Sequence, residues 1–414
     1  INKGWLAEDV PLVKNGNAFL WTSEKNGWRD LFEISLDENQ FDMSYGFLQN
    51  YDMARLYGVY EDIGKIYISA SPENATQRYL YSISTSPNRK TKRLTPKEYT
   101  GVNAYNISPN GQYAIHTHSN ANTPPTIRLI SLPDHKTIRV VERNEALNGN
   151  LAKVKMSAWE FFQVTTADGI EMDGMMLKPN DFDPTKKYPV LFHVYGEPWG
   201  QMAIDTWGKM YDQYLAQQGY VIVKMDNRGT PSLKGRQWRK SIYRKIGVIN
   251  AYDQATAARE VLKWDFIDPE RVAVWGWSGG GSMTLNLMFK HSDIYQTGIS
   301  IAPVANQLYY DNIYQERYMG LPSENMEDFI EGSPITHAKN LKGNLLLIHG
   351  TGDDNVHYQN AEALINELIK HNKIFQVMPY PNRTHGIYEG DNTTRHLYTT
   401  ITHYLKTNCP PGGR

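Results

Sequence analysis

The 414-residue sequence predicts an α/β fold, a mostly parallel sheet covered by helices, preceded by an all-β array. Three observations predict it. From residue 188 onward, short apolar runs alternate with helix-like segments, the pattern of a parallel sheet with crossover helices. Residues 271–289 read as a buried strand, a glycine-rich turn and an apolar helix. In the first 150 residues, three strand pairs recur at near-constant spacing.

The repeat comes first along the chain. Strand cores FLWTS, IYISA and YAIHT begin at Phe19, Ile66 and Tyr113, 47 residues apart each time. A turn glycine precedes each core (Gly16, Gly64, Gly111), and a second strand follows each, from Leu31, Leu80 and Ile127. A period near 45 with several short strands per unit is the signature of propeller blades. Closing a propeller takes roughly four to eight blades, and about three fit into residues 1–150. The expectation is therefore the C-terminal part of a longer protein whose earlier blades precede Ile1. An open three-unit array would leave strand edges unpaired. Residues 144–159 read as the crossing to a second domain over 151–409, and the Pro-Pro-Gly-Gly-Arg end, 410–414, reads as a disordered tail.

In the second domain Val190–Val194, Tyr220–Lys224, Gly298–Ala302, Leu345–Ile348 and Phe375–Tyr380 read as strands. Helices are expected from about Val248 to Lys263, from near His357 to His371, and over Thr394–Leu405. The segment Arg271–Gly281, RVAVWGWSGGG, places Ser278 in G-x-S-x-G between strand and helix. That is the nucleophile elbow of α/β-hydrolases: small neighbours permit a strained turn that lifts the hydroxyl clear of the sheet. The same fold orders its partners as Ser, then Asp or Glu, then His. Asp353 and Asp354 follow the Leu345–Ile348 strand, and His385 follows the Phe375–Tyr380 strand. These loops lie past strand C-termini, where open α/β sheets place their sites. His385 is the expected base, with His396 and His403 on a helix surface and His371 at a helix end. The pattern leaves the acid open between Asp353 and Asp354. Oxyanion donors are expected from the backbone N–H of Gly279 and from the loop after Tyr188–Val194, where Tyr195 is either a hydroxyl donor or a core tyrosine.

A formal net charge of −1 gives no pull toward nucleic acid or anionic lipid. The local basic cluster Lys234, Arg236, Arg239, Lys240, Arg244 and Lys245 reads as a solvated or interdomain face. The single Cys409 excludes an intrachain disulfide and a cysteine-based metal site. No apolar run reaches transmembrane length, and any signal would precede Ile1.

Residues 188–408 resemble the catalytic domain of the prolyl oligopeptidase family of serine peptidases, in particular its dipeptidyl peptidase IV branch. The residues that carry this are Val194-Tyr195-Gly196-Glu197-Pro198, Asp226-Asn227-Arg228-Gly229, Trp275–Gly280, Tyr309–Gly320 and His349–His357. The three upstream repeats are similar to the last blades of that family's propeller. The resemblance implies Asp353 as the acid and Tyr195 as the side-chain oxyanion donor. It also implies Asn355 against the substrate backbone, and Tyr310, Tyr314, Val304 and Val356 around the pocket for the residue before the cut. It further implies a homodimer and a secreted, periplasmic or cell-surface location. Neither metal nor organic cofactor is implied. Three positions depart from the family pattern: Gly279 where tyrosine is usual, Gln307 where tryptophan is usual, and Glu197 where glycine is usual. The first two predict a wider, more polar pocket. Glu197 reads as a surface loop acid, with a negative charge beside the site as the alternative.

The expected function is a serine exopeptidase that cleaves dipeptides from the N-terminus of oligopeptides through an acyl-enzyme, after Pro or Ala where the family preference carries over. An esterase or acylaminoacyl-type peptidase on the same scaffold is the alternative, and a non-catalytic binding protein a third. The glutamate pair that anchors the substrate amine in the dipeptidyl branch would lie before Ile1. The acidic pairs Glu8-Asp9, Asp37-Glu38 and Glu61-Asp62 read as turns and strand ends.

Overall fold

The computed structural model describes residues 10–36, 46–48, 50–86 and 88–414. The chain forms two compact units: Ile1–Lys155 with Ile204–Lys209 and Ser232–Arg239, and Met156–Ala203 with Met210–Pro231 and Lys240–Arg414. Of the acidic pairs, Glu8-Asp9 and Asp37-Glu38 lie outside the described residues, while Glu61 and Asp62 form a short 3-10 turn.

Among the described residues the first unit holds three antiparallel sheets. They are β1 (Leu12–Val13), β2 (Ala18–Ser23) and β3 (Asp30–Ser35); β4 (Met53–Tyr60), β5 (Lys65–Ala70), β6 (Tyr79–Ser84) and β7 (Thr91–Arg93); and β8 (Val102–Ile107), β9 (Tyr113–Asn120), β10 (Thr123–Ser131) and β11 (Thr137–Glu142). The repeat cores fall in β2, β5 and β9, and the second strands in β3, β6 and β10. Gly16, Gly64 and Gly111 all take positive φ, the left-handed conformation that a tight turn into the next strand requires. Side-chain alternation buries both faces of the middle sheet. Ile66, Ile68 and Ala70 pack with Leu20 and Leu31 on one side. Tyr67 and Leu80 pack with Tyr105, Ala114 and Ile130 on the other. Within this unit the buried Arg239 pairs with Glu24 at 2.6 Å and Asp52 at 2.7 Å.

The second unit is built on one eight-stranded sheet of β12 (Trp159–Thr165), β13 (Glu171–Leu177), β14 (Tyr188–His193), β15 (Val221–Met225), β16 (Ile267–Trp277), β17 (Thr297–Ile301), β18 (Asn344–Gly350) and β19 (Gln376–Tyr380). The spatial order is β12-β13-β15-β14-β16-β17-β18-β19. β13 pairs antiparallel with β12 and β15, and every later pairing is parallel. The central strands are near-continuous apolar runs because a parallel sheet is covered on both faces; Val190, Leu191, Val221–Val223, Val272–Val274 and Leu345–Ile348 are all buried. This is the α/β-hydrolase arrangement expected from the elbow. Helix Ile249–Val261 occupies the span expected to be helical, as does Thr393–Asn408. The latter buries Leu397, Ile401 and Leu405 at helical spacing and exposes His396 and His403. In the basic cluster, Lys245 pairs with Asp328 at 2.6 Å and Arg244 with Glu324, so much of its charge is compensated within the protein.

The C-terminal segment corrects the expectation of a disordered tail at 410–414. The buried Arg271 guanidinium donates to Pro410 O and Gly412 O at 2.8 Å each, and Gly412 N–H donates to Gly219 O at 3.1 Å. Lys187 and Arg414 exchange backbone hydrogen bonds, and Arg414 pairs with Asp268 at 2.7 Å. The Pro/Gly composition signals a segment that forms neither helix nor strand. It does not report the carbonyls such a segment offers to a buried cation. Arg271 also pairs with Asp268 at 2.7 Å. Replacing it by leucine leaves that buried carboxylate with the exposed Arg414 as its cation and the Glu270 N–H as its backbone donor. Arg271→Leu is expected to lower the stability of this unit by about 3 kcal/mol, read as a drop in the urea midpoint; an unchanged midpoint contradicts the assignment.

Candidate active site

The elbow is built by steric exclusion. Ser278 closes β16 with φ 59° and ψ −121°, a strained conformation for a residue with a side chain. A Cβ at Gly276 would collide with Gly280 O and Val194 O, and one at Gly280 with Val194 O. The turn therefore forms only with glycine at both positions. Ser278 N–H is tied to Ile301 O at 2.8 Å, and the helix Gly279–Lys290 starts immediately after it. The N–H of Gly279 belongs to the first turn, whose donors have no partner within the helix.

Asp353 and His385 are brought together by two loops that leave the same edge of the sheet. His385 Nδ1 donates to Asp353 Oδ2 at 2.8 Å. The same oxygen receives His349 Nε2 at 3.1 Å, while Oδ1 accepts the N–H groups of Asn355 at 2.9 Å and Val356 at 2.8 Å. Burial alone would raise the pKa of Asp353. The hydrogen bonds from His349, His385 and the backbone outweigh burial and hold the carboxyl well below its usual range. Asp353 is buried and Asp354 exposed, so it is Asp353 that meets the imidazole. Trp277 Nε1 donates to His385 O at 2.9 Å, linking the histidine loop to the residue before Ser278.

The loop after β14 brings Tyr195 and Glu197 to the same place. Its backbone is pinned from below: Asn227 and Asn250 donate to Gly196 O at 3.2 and 3.0 Å, and Asp226 accepts the N–H groups of Met202 and Ala203 at 2.7 and 3.0 Å. Arg228 is clamped to the buried Asp253 at 2.6 Å. The Asp226–Gly229 motif is thus a brace for this loop. Burial, followed by the neighbouring Glu197, pushes the Tyr195 phenol upward, which keeps its O–H available as a donor.

A cavity of ≈ 70 Å³ opens beside Ser278. Tyr195, Gly279, Val304, Gln307, Tyr310 and Tyr314 all line it, together with Glu197. Gln307 is buried and its Oε1 accepts Gln315 Nε2 at 2.7 Å. Val356, on the Asp353 loop, is fully buried and is not part of this lining. Asn355 stands outside the lining as well, receiving the Tyr310 hydroxyl at 2.9 Å.

Two features differ from the sequence reading. Glu197 is buried, 5 % exposed, and accepts the Tyr314 hydroxyl, so it is no surface loop acid. Nor is the pocket simply widened at Gly279: a Cβ there would collide with Glu197 Cγ, because the glutamate occupies the space the missing side chain leaves. His349 is a further site residue to which no catalytic motif points. Its signal is a histidine at the end of β18, four residues before Asp353. Among the described residues no group of three or more His, Cys, Asp or Glu is placed to hold a metal ion, and no helix is long and apolar enough to cross a membrane.

Residues 209–410 match the prolyl oligopeptidase family, and residues 1–125 match the dipeptidyl peptidase IV (DPP IV) N-terminal region. Prolyl endopeptidase FAP of Mus musculus is 37% identical over 289 residues, 68% of this chain and 38% of that protein. Dipeptidyl peptidase 4 of Trichophyton equinum is 35% identical over 310 residues, 73% of this chain and 40% of that protein. The crystal structure of Porphyromonas gingivalis dipeptidyl peptidase 4 superposes with a TM-score of 0.90 at 33% identity, covering 96% of this chain and 55% of that one. The chain thus spans well under two thirds of the length of these relatives.

The position of Glu197 has a thermodynamic consequence. Burial raises its pKa from 4.5 to about 7, against the opposing bond from Tyr314. The folded protein therefore keeps a proton that the unfolded chain releases above about pH 4.5. Stability falls as pH rises through the window from there to about 7, by up to about 3 kcal/mol. Glu197→Gln is expected to remove this slope, so that unfolding in urea at pH 5 and pH 8 differs less for the variant than for the parent. Equal pH dependence in both refutes the burial of a titrating carboxyl here.

Proposed function

The chain belongs to the prolyl oligopeptidase family of serine peptidases, and from that premise we propose that it is the C-terminal portion of a serine exopeptidase releasing dipeptides from the N-terminus of oligopeptides. The observation that carries the reading is the Asp353–His385 hydrogen bond on loops beside the strained Ser278 turn. In this reading Ser278 Oγ attacks the scissile carbonyl carbon while His385 Nε2 takes its proton. Asp353 holds the imidazole through Nδ1 and stabilises the imidazolium. The carbonyl π electrons move to oxygen, and that oxyanion is received by the Gly279 N–H and the Tyr195 O–H. The C–N bond then breaks, the imidazolium protonates the departing amine, and an ester to Ser278 remains. Water repeats the sequence, releasing the acyl group as an acid and regenerating the serine. No step calls on a metal or organic cofactor.

The propeller portion enters this reading as a filter that admits unfolded chains. The test uses the full-length protein with a free-amine Xaa-Pro anilide, its N-blocked form and a simple acyl ester. Free-amine hydrolysis is expected, falling roughly 10⁴- to 10⁶-fold in Ser278→Ala, with stoichiometric labelling of Ser278 by a fluorophosphonate. Turnover of only the blocked peptide or the ester overturns the dipeptidyl reading in favour of an acylaminoacyl peptidase or esterase. Absence of labelling overturns catalysis altogether.

A further inference from the structure

We propose that Glu197 and Gly279 act as one specificity device, turning the pocket for the residue before the cleaved bond into a hydrogen-bond acceptor that selects a short, hydroxyl-bearing side chain over a proline ring. This rests on the peptidase reading and deepens it by naming the substrate class.

The cavity next to an attacking serine and an oxyanion donor receives the side chain of the residue whose carbonyl is attacked. Here it adjoins Ser278 and Tyr195. One wall is Glu197, a buried acid whose Oε2 accepts the Tyr314 hydroxyl. Among the described residues Oε1 has no hydrogen-bond partner, it is not sealed from solvent, and Glu197 lines the cavity. It is therefore open to the cavity. A carboxylate oxygen accepts and does not donate, so an occupant without a donor strips water from Oε1 and returns nothing. An apolar ring such as that of proline is such an occupant. A hydroxyl restores the lost bond, and hydrogen bonds to charged groups are among the stronger ones.

Size decides among donors. The cavity of ≈ 70 Å³ is far below the roughly 300–1,000 Å³ of sites that take a drug-sized ligand. On this measure one water needs roughly 10–15 Å³, so a handful of heavy atoms fits, the size of a serine, threonine or hydroxyproline side chain. The buried Gln307, tied to Gln315 and Ser333, gives the pocket a fixed polar wall. Glu197 sits near its half-protonated point at neutral pH, and a hydroxyl, being both donor and acceptor, suits either form of it.

Gly279 belongs to the device because any side chain there would evict Glu197. The glycine after the nucleophile and the glutamate two residues after Tyr195 are thus a coupled pair: neither has its present role without the other.

The experiment measures kcat/KM of the full-length protein on anilides whose penultimate residues form isosteric pairs: serine with alanine, threonine with valine, hydroxyproline with proline, plus lysine. Each is made with a free and with a blocked amine. A preference of roughly ten- to hundredfold for the hydroxyl member of each pair is expected. In Glu197→Ala that ratio should collapse toward unity, and in Glu197→Gln, which keeps a carbonyl acceptor, it should be partly retained. Parity between pair members, a preference for lysine, or a ratio unmoved in Glu197→Ala each overturns the proposal. The ratios are read within either series. Turnover of blocked substrates alone therefore removes the dipeptidyl reading while still deciding this one, and no turnover in either series removes both.

Discussion

Four hydrogen-bond donors converge on the carboxylate of Asp353, and the geometry of the site follows from that convergence. Two come from its own loop, the N–H groups of Asn355 and Val356. One comes from His349 at the end of β18, and one from His385 on the loop after β19. A buried carboxylate is costly unless its lone pairs are filled. Here the filling does structural work: it ties the ends of two neighbouring strands to one point. In the proposed mechanism the imidazole of His385 is thereby aimed by an anion that stays ionised, which is what a base acting on a hydroxyl requires. His349 Nε2 also faces Val356 O at 2.9 Å, so the histidine ties the carboxylate to the backbone of its own loop.

A second constraint acts from the other side of the elbow. The strained Ser278 turn lies against the backbone of Val194, so closely that two of its glycines admit no Cβ. The same stretch of chain continues into Tyr195 and Glu197. The loop is in turn held through Gly196 O by two buried asparagine side chains and through Met202 and Ala203 by Asp226. Motifs that carry the family resemblance therefore divide by physical role. Asp226-Asn227-Arg228 braces the loop, while Tyr195 and Glu197 present their side chains to the cavity. Rigidity of this kind matters because an oxyanion donor acts only when its position is set before charge develops.

Much of this was legible in the sequence for reasons of periodicity and spacing. The 47-residue repeat marks the same strand in three sheets because each sheet buries its neighbour's face. The strand–turn–helix at Ser278 is legible because only glycines satisfy its backbone. The order Ser278, Asp353, His385 is legible because parallel strands deliver loops to one edge in chain order. Asp353 and Asp354 were not separable by pattern, since adjacent residues on a loop differ only in which way they point, and burial alone distinguishes them. The order of the tail at 410–414 is not legible, because composition records what a segment cannot form, not which buried cation will bind its carbonyls. His349 went unnoticed because its significance lies in a contact with a residue four positions on, across a turn.

Glu197 shows a more general limit of reading positions singly. Taken alone, Gly279 is the loss of an aromatic wall, and Glu197 is an acid in a loop; each observation has a bland meaning, and together they predict a larger hole with a charge nearby. In three dimensions the two changes fill the same space. The glutamate side chain enters where a side chain at 279 would stand, and the phenol of Tyr314 fixes its end. The pocket keeps a wall and exchanges an aromatic surface for a hydrogen-bond acceptor. Substitutions that look independent along a chain are coupled whenever one side chain needs the volume the other gives up. Specificity at this site is therefore a property of the pair, set by shape at Gly279 and by chemistry at Glu197.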